Sequence, residues 1–192
     1  MKMPNHITNR IQFSGKREDI DRVLALIKGD NECIDFEKII PMPNNIYRGD
    51  LDQRARALYG KNNWYDWRRT NWGTKWNAYW SSIDNENNTI ILWFDTAWSC
   101  PLGVLDSLAE ICVENKVGFE GEWADEDCGT NIGEFWTVDE CEPFACHYID
   151  SYSDEAYDIY TKLKGENYCL DKDEHGHWIK YSCDNCPNSD KC

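Results

Sequence analysis

Between Tyr47 and Trp80, cations and aromatic rings are interleaved. Arg48, Arg54, Arg56, Lys61, Arg68, Arg69 and Lys75 stand among Tyr59, Trp64, Tyr65, Trp67, Trp72, Trp76 and Tyr79. An aromatic face beside a cation can stack a base and hold its phosphate. Asn71-Trp72-Gly73-Thr74-Lys75-Trp76 is the sharpest part. There a glycine admits close approach to the backbone, a threonine offers a hydroxyl and a lysine offers a point charge. The ligand-binding residues expected of this block are Arg68, Arg69, Trp72, Gly73, Thr74, Lys75 and Trp76. It is not a phosphate loop, because one glycine does not make a nest of amides. The same residues equally suit a Trp-rich core under arginine stems, with the guanidinium groups paired to carboxylates elsewhere.

Carboxylates form the second group. Asp125, Glu126 and Asp127 are consecutive, and Asp95 ends an apolar run. If their strands were neighbours, these side chains could hold Mg²⁺ or Ca²⁺ and support metal-assisted catalysis. They could instead pair with Arg68, Arg69 or Lys75 and fix one end of a sheet. The third group is a tail with Cys169, His175, His177, Cys183, Cys186 and Cys192. Cys183 and Cys186 have the spacing of half a tetrahedral zinc site, which Cys169 and Cys192 could complete. Four thiolates leave no open position, so such zinc would be structural. The alternative is a reduced tail that binds no metal. No Ser-His-Asp, Cys-His or G-x-G-x-x-G signature occurs, and no catalytic residue is assigned.

The formal net charge is −15 over 192 residues, which argues against direct nucleic-acid binding. The charge is divided unevenly. Residues 1–80 hold 14 Lys and Arg against 10 Asp and Glu; residues 81–192 hold 6 against 25. Val117 to Thr161 contains 13 carboxylates and no Lys or Arg. Either these charges pair within the molecule or they form a strongly negative face. Met1 to Ser14 has no apolar signal-like core, and no apolar run is long enough to span a membrane. The expected location is therefore the cytoplasm, where most of the 10 cysteines would be reduced thiols.

The elements that must position these groups follow from periodicity. Ile7 to Phe13 alternates as a half-buried strand, with Thr8, Arg10 and Gln12 on its polar face. Arg17 to Lys28 has helical spacing. Phe36 to Ile40 reads as a short extended piece before Pro41, and residues 53–60 as one or two helical turns. Trp76, Ala78 and Trp80 alternate as a strand, and residues 84–88 read as a turn. Thr89 to Phe94 suits a central strand. A helix opens at Pro101, and Val117 to Trp123 with Ile132 to Val138 forms a hairpin. The order is β-α-β-β-α-β with an extra hairpin strand: an α+β fold with a ferredoxin-like core. It is expected over residues 1–142. Residues 143–192 are expected as a small α+β appendage, with a helix capped by Ser153 and then a Cys-bearing tail.

Five blocks in this order resemble the YubB ferredoxin-like domain family. They are Met3 to Ile11, Ile39 to Pro43, Trp67 to Tyr79, Phe94 to Pro101 and Trp123 to Asn131. The resemblance implies a ferredoxin-like fold and an origin in phages, prophages or conjugative plasmids; it implies no reaction. Combined with the charge division, it leads to an expected interaction protein. Its acidic surface, comprising Asp95, Glu120, Glu122, Asp125, Glu126, Asp127, Glu140 and Glu142, would bind and inhibit a host protein. That target is a nucleic-acid-binding or defence protein whose basic site the carboxylates fill in place of phosphates. The alternatives are a nucleotide or small-ligand module at the Trp/Arg/Lys block and a metal-assisted enzyme at the carboxylates.

Overall fold

The computed structural model describes residues 5–86, 89–139, 142–165, 167 and 169–182. Six strands make one antiparallel sheet: β1 (His6–Ser14), β2 (Tyr79–Glu86), β3 (Thr89–Ala97), β4 (Gly118–Asp125), β5 (Ile132–Thr137) and β6 (Phe144–Tyr148), in the order β2-β3-β1-β4-β5-β6. The first four in space are the ferredoxin-like set, joined through α1 (Arg17–Ile27) and α5 (Leu102–Glu114). The fold class is α+β and ferredoxin-like, as the order of periodic segments implies.

Alternation along β1 decides the two faces. Ile7, Ile11 and Phe13 point into a core with Ile20, Val23 and Ile27 of α1, and with Val104, Leu105 and Leu108 of α5. His6, Thr8, Arg10 and Gln12 take the opposite face. There, α6 (Asp154–Lys164) packs Ala156, Tyr157, Ile159 and Tyr160 on Ala124 and Ile132. Ser153 caps α6 by accepting from the Ala156 amide; Asp154 and Glu155 lie in its first turn, Lys162 and Lys164 in its last. These charges complement the helix dipole.

Several local expectations differ from the structure. Phe36 to Ile39 is a helical turn, α2, because the Asp35 carboxylate accepts from the Glu37 amide and caps it. The aromatic block contains a helix, α4 (Trp64–Asn71), which Asn63 caps through the Tyr65 and Asp66 amides. A shorter helix, α3 (Gln53–Tyr59), precedes it at the expected place. Trp76 and Ala78 precede β2, which runs through Glu86, over residues read as a turn. Asn and Asp disfavour strands, yet the pairs Asp84↔Ile91 and Asn85↔Ile90 hold them in register. β6 begins beyond Pro143 and pairs along β5, so the sheet crosses the expected boundary after residue 142. Beyond α6, β7 (Leu170–Lys172) and β8 (Trp178–Lys180) form a separate hairpin. Among the described residues, no helix is long and apolar enough to cross a membrane.

Candidate functional site

The Trp-Gly-Thr-Lys-Trp loop is a clasp rather than an open pocket. Trp72 is fully buried and its indole N–H donates to the Ile40 carbonyl at 2.9 Å. Gly73 has φ +82°, and an added Cβ would come within 3.2 Å of the Leu102 amide nitrogen at the start of α5. The buried Thr74 hydroxyl donates to the Ala97 carbonyl, and Ser99 donates to the Gly73 carbonyl. Lys75 is 8% exposed, its ammonium lying 4.7 Å from both the Trp76 and Trp98 ring centroids. Gly73, Thr74 and Lys75 thus engage the β3–α5 connection, and Trp72 engages the residue that follows α2.

The neighbouring cations also find partners in their own half. Arg68 lies 4.6 Å from the Trp72 ring centroid and 3.7 Å from Glu37; burial lowers its pKa from the ordinary value. Arg69 and Arg56 both lie over Tyr65. These guanidinium groups cover ring faces that a base would need.

At the end of the sheet, β1 inserts between β3 and β4. Asp95 therefore faces Thr8, whereas Asp125 faces Ile7 from the other side. The strands of Asp95 and Asp125 are thus not neighbours, and the condition for a shared metal site at these carboxylates is not met. Asp125 is buried and already occupied: Asn5 and Asn131 donate to its two oxygens at 3.0 and 2.8 Å, and the Asp127 amide donates to Oδ1. Asn5 also donates to Asp127, while Glu126 is exposed. The expected pairing of these carboxylates with Arg68, Arg69 or Lys75 gives way to asparagine amides. No three His, Cys, Asp or Glu side chains converge as metal ligands among the described residues.

Residues outside the expected site sets assemble beside Asp95. Thr8 donates to Asp95 at 2.8 Å, and Lys164, from the end of α6, donates to the His6 carbonyl at 2.9 Å. Burial raises the Asp95 pKa and lowers that of Lys164. The Tyr79 hydroxyl donates to the Thr96 carbonyl, which makes His6 Nδ1 its donor at 2.8 Å. Burial, then Asp95 and Glu126, push the Tyr79 pKa up. Trp80 is 71% exposed with φ +52° at a break in the β2–β3 register, stacked on His6 at 5.1 Å. The β1 alternation was the available signal for His6, Thr8 and Arg10 sharing a face. The aromatic block contains Tyr79 and Trp80 without placing them beside Asp95, and nothing local to the chain announces Lys164.

Further along that face, the register sets Trp93, Arg10, Glu122, Glu134 and His147 in one row. Gln12, Glu120, Trp136 and Ala145 form the next. Glu122 is bonded by Lys162 at 2.6 Å and lies 3.8 Å from Arg10. Glu120, Glu126 and Glu142 are exposed; Glu140 lies outside the described residues. In the tail, Cys169 accepts at its carbonyl from the Tyr181 amide. Cys183, Cys186 and Cys192 lie outside the described residues, and with them the expected zinc site.

No curated protein and no solved structure matches the chain. Residues 75–166 match a family model described as the ferredoxin-like domain in Api92-like protein. That segment runs from Lys75 through α6, while β1 and α1, which complete the ferredoxin-like arrangement, precede it. The match supports a ferredoxin-like family for this segment, without the narrower YubB name that the five residue blocks suggest.

Proposed function

We propose that the chain is an interaction protein of a mobile element whose acidic half docks on a basic surface of a bacterial host protein. The target surface is one that otherwise holds nucleic acid, as in a defence component, and docking blocks it in the host cytoplasm. The observation that carries this reading is how little the basic half neutralises the acidic one. Among the described residues, Arg10–Glu122 is the one ion pair joining residues 1–80 to the carboxylates of 117–161. Arg48 and Arg68 both pair with Glu37, inside the basic half. Glu120, Glu126, Glu142, Asp150 and Glu155 are exposed and make no ion pair among the described residues. Uncompensated charge of one sign steers association with the opposite sign and is screened over about 8 Å at physiological salt.

The test is retention of proteins from a nuclease-treated bacterial lysate on the immobilised chain. Basic nucleic-acid-binding proteins should be held in about 0.05 M salt and released by about 0.5 M. Changing Glu126, Glu142 and Asp150 together to Lys should abolish retention and leave the circular dichroism spectrum unchanged. Retention that is insensitive to salt, or a retained set without a basic nucleic-acid-binding protein, overturns the reading.

A further inference from the structure

A groove of about 280 Å³ lies on the sheet face opposite α1 and α5, lined by Arg10, Gln12, Glu120, Glu122, Glu134, Trp136 and Lys162 among others. The geometry points to this groove as a binding site for a guanidinium group, the side chain of an arginine on a basic partner. The inference rests on the acidic-docking reading and narrows it to one anchor.

Donors and acceptors in the groove do not balance. Glu122 and Glu134 are directly opposite on β4 and β5, a like-charge cross-strand pair that by itself disfavours the sheet. Lys162 satisfies one oxygen of Glu122; the other, Oε2, is buried and receives no hydrogen bond. Arg10 stands 3.8 Å from that oxygen, outside hydrogen-bond reach, because it is turned toward Gln12 and the Trp93 ring. Among the described residues, Glu134 makes no hydrogen bond or ion pair. Burial and the nearby Glu155 and Glu122 raise its pKa, while His147 and Lys162 act the other way. Glu120 takes one bond, from the Gln12 amide. The groove is therefore rich in acceptors and short of donors, despite its two cations.

One wall is aromatic. Trp136 is opposite Glu120 and is 39% exposed. A guanidinium can stack on an indole while its five N–H groups reach carboxylates in its own plane. An ammonium gains the charge interaction without the planar fork. The groove thus distinguishes arginine from lysine, which a diffuse acidic face does not.

The experiment compares octa-arginine and octa-lysine binding to the full chain by calorimetry at low salt. The two peptides carry equal charge, so docking on the acidic face in general contributes alike to both. Octa-arginine should bind about ten-fold more tightly. Glu134→Gln and, separately, Trp136→Ala should each erase most of that difference. Glu126→Lys with Glu142→Lys, away from the groove, should weaken both peptides equally. Glu134→Gln is nearly isosteric, so the result does not depend on the indole variant folding. If both peptides bind equally, and only the Glu126/Glu142 variant weakens them, the groove assignment falls and acidic docking stands. If neither peptide binds, acidic docking falls and the groove assignment falls with it.

Discussion

Trp72 shows how burial reassigns a residue that chemistry alone would offer to a ligand. An indole beside two arginines suits stacking, but this one is enclosed by Phe36, Trp67 and Arg68 and bonded to the Ile40 carbonyl. Trp72→Ala should lower stability by about 3–5 kcal/mol, read as a shift in urea midpoint. Nucleotide addition should leave the fluorescence of the unmodified protein unchanged. A ligand-dependent quench with only a small loss of stability would return Trp72 to a binding role. Gly133 presents a steric limit: a Cβ there would strike both the Trp123 ring and the His147 carbonyl. Backbone on one side and a packed indole on the other leave no route for relief. Gly133→Ala should therefore cost about 1–3 kcal/mol or more. A neutral substitution would mean that β5 and β6 are less tightly paired than the register indicates.

The β7–β8 hairpin is held to α6 by a small set of charged contacts. His177 Nδ1 lies 2.6 Å from Asp154, whose other oxygen accepts from the Trp178 amide. The Trp178 indole donates to Asp158, which also pairs with Lys172. The bond to His177 and the Trp178 amide hold the Asp154 pKa below its ordinary value; Asp154 raises that of His177. A raised histidine pKa gives a contribution complete below the ordinary value of 6.5 and lost as pH rises through the folded value. A depressed aspartate pKa gives one present above 3.8 and lost as pH falls through the folded value. The hairpin should accordingly be best protected between these two ordinary values. Amide exchange of Leu170–Lys172 and Trp178–Lys180, corrected for intrinsic rates, should accelerate as pH rises past the His177 titration. His177→Gln should remove that acceleration; if it persists, another group governs hairpin docking.

Over the whole molecule, charge division has a consequence for stability as well as for association. If the basic block neutralised the acidic half, added salt would screen attraction and destabilise the fold. The ion pairs instead leave most acidic-half carboxylates facing one another or solvent. Self-repulsion should then dominate, and salt should relieve it. The urea midpoint should rise between about 0.02 and 0.2 M sodium chloride, within the range where the screening length shortens most. A falling midpoint would show that attraction between the halves governs the fold, and would remove the main support for an outward-facing acidic surface. The same comparison on the Glu126, Glu142 and Asp150 to Lys variant should show a smaller salt effect, because less repulsion remains to be screened.

Periodicity is a local property, so the chain alone specified the alternation of β1, the helices α1 and α5, the Ser153 cap of α6 and hence the ferredoxin-like order. The division of charge was likewise legible, because it needs only the positions of Lys, Arg, Asp and Glu along the chain. Asp84 and Asn85 were misread because turn propensity is also local, whereas their pairing with Ile91 and Ile90 is not. The tertiary structure alone decided what the candidate residues do. Inserting β1 between β3 and β4 parts Asp95 from Asp125, and closing the 72–76 loop against α5 turns a ligand-like motif inward. Strand register placed Glu122 opposite Glu134 and Trp136 opposite Glu120. A one-residue slip would have sent each of those side chains to the other face, and no spacing within a single strand carries that information.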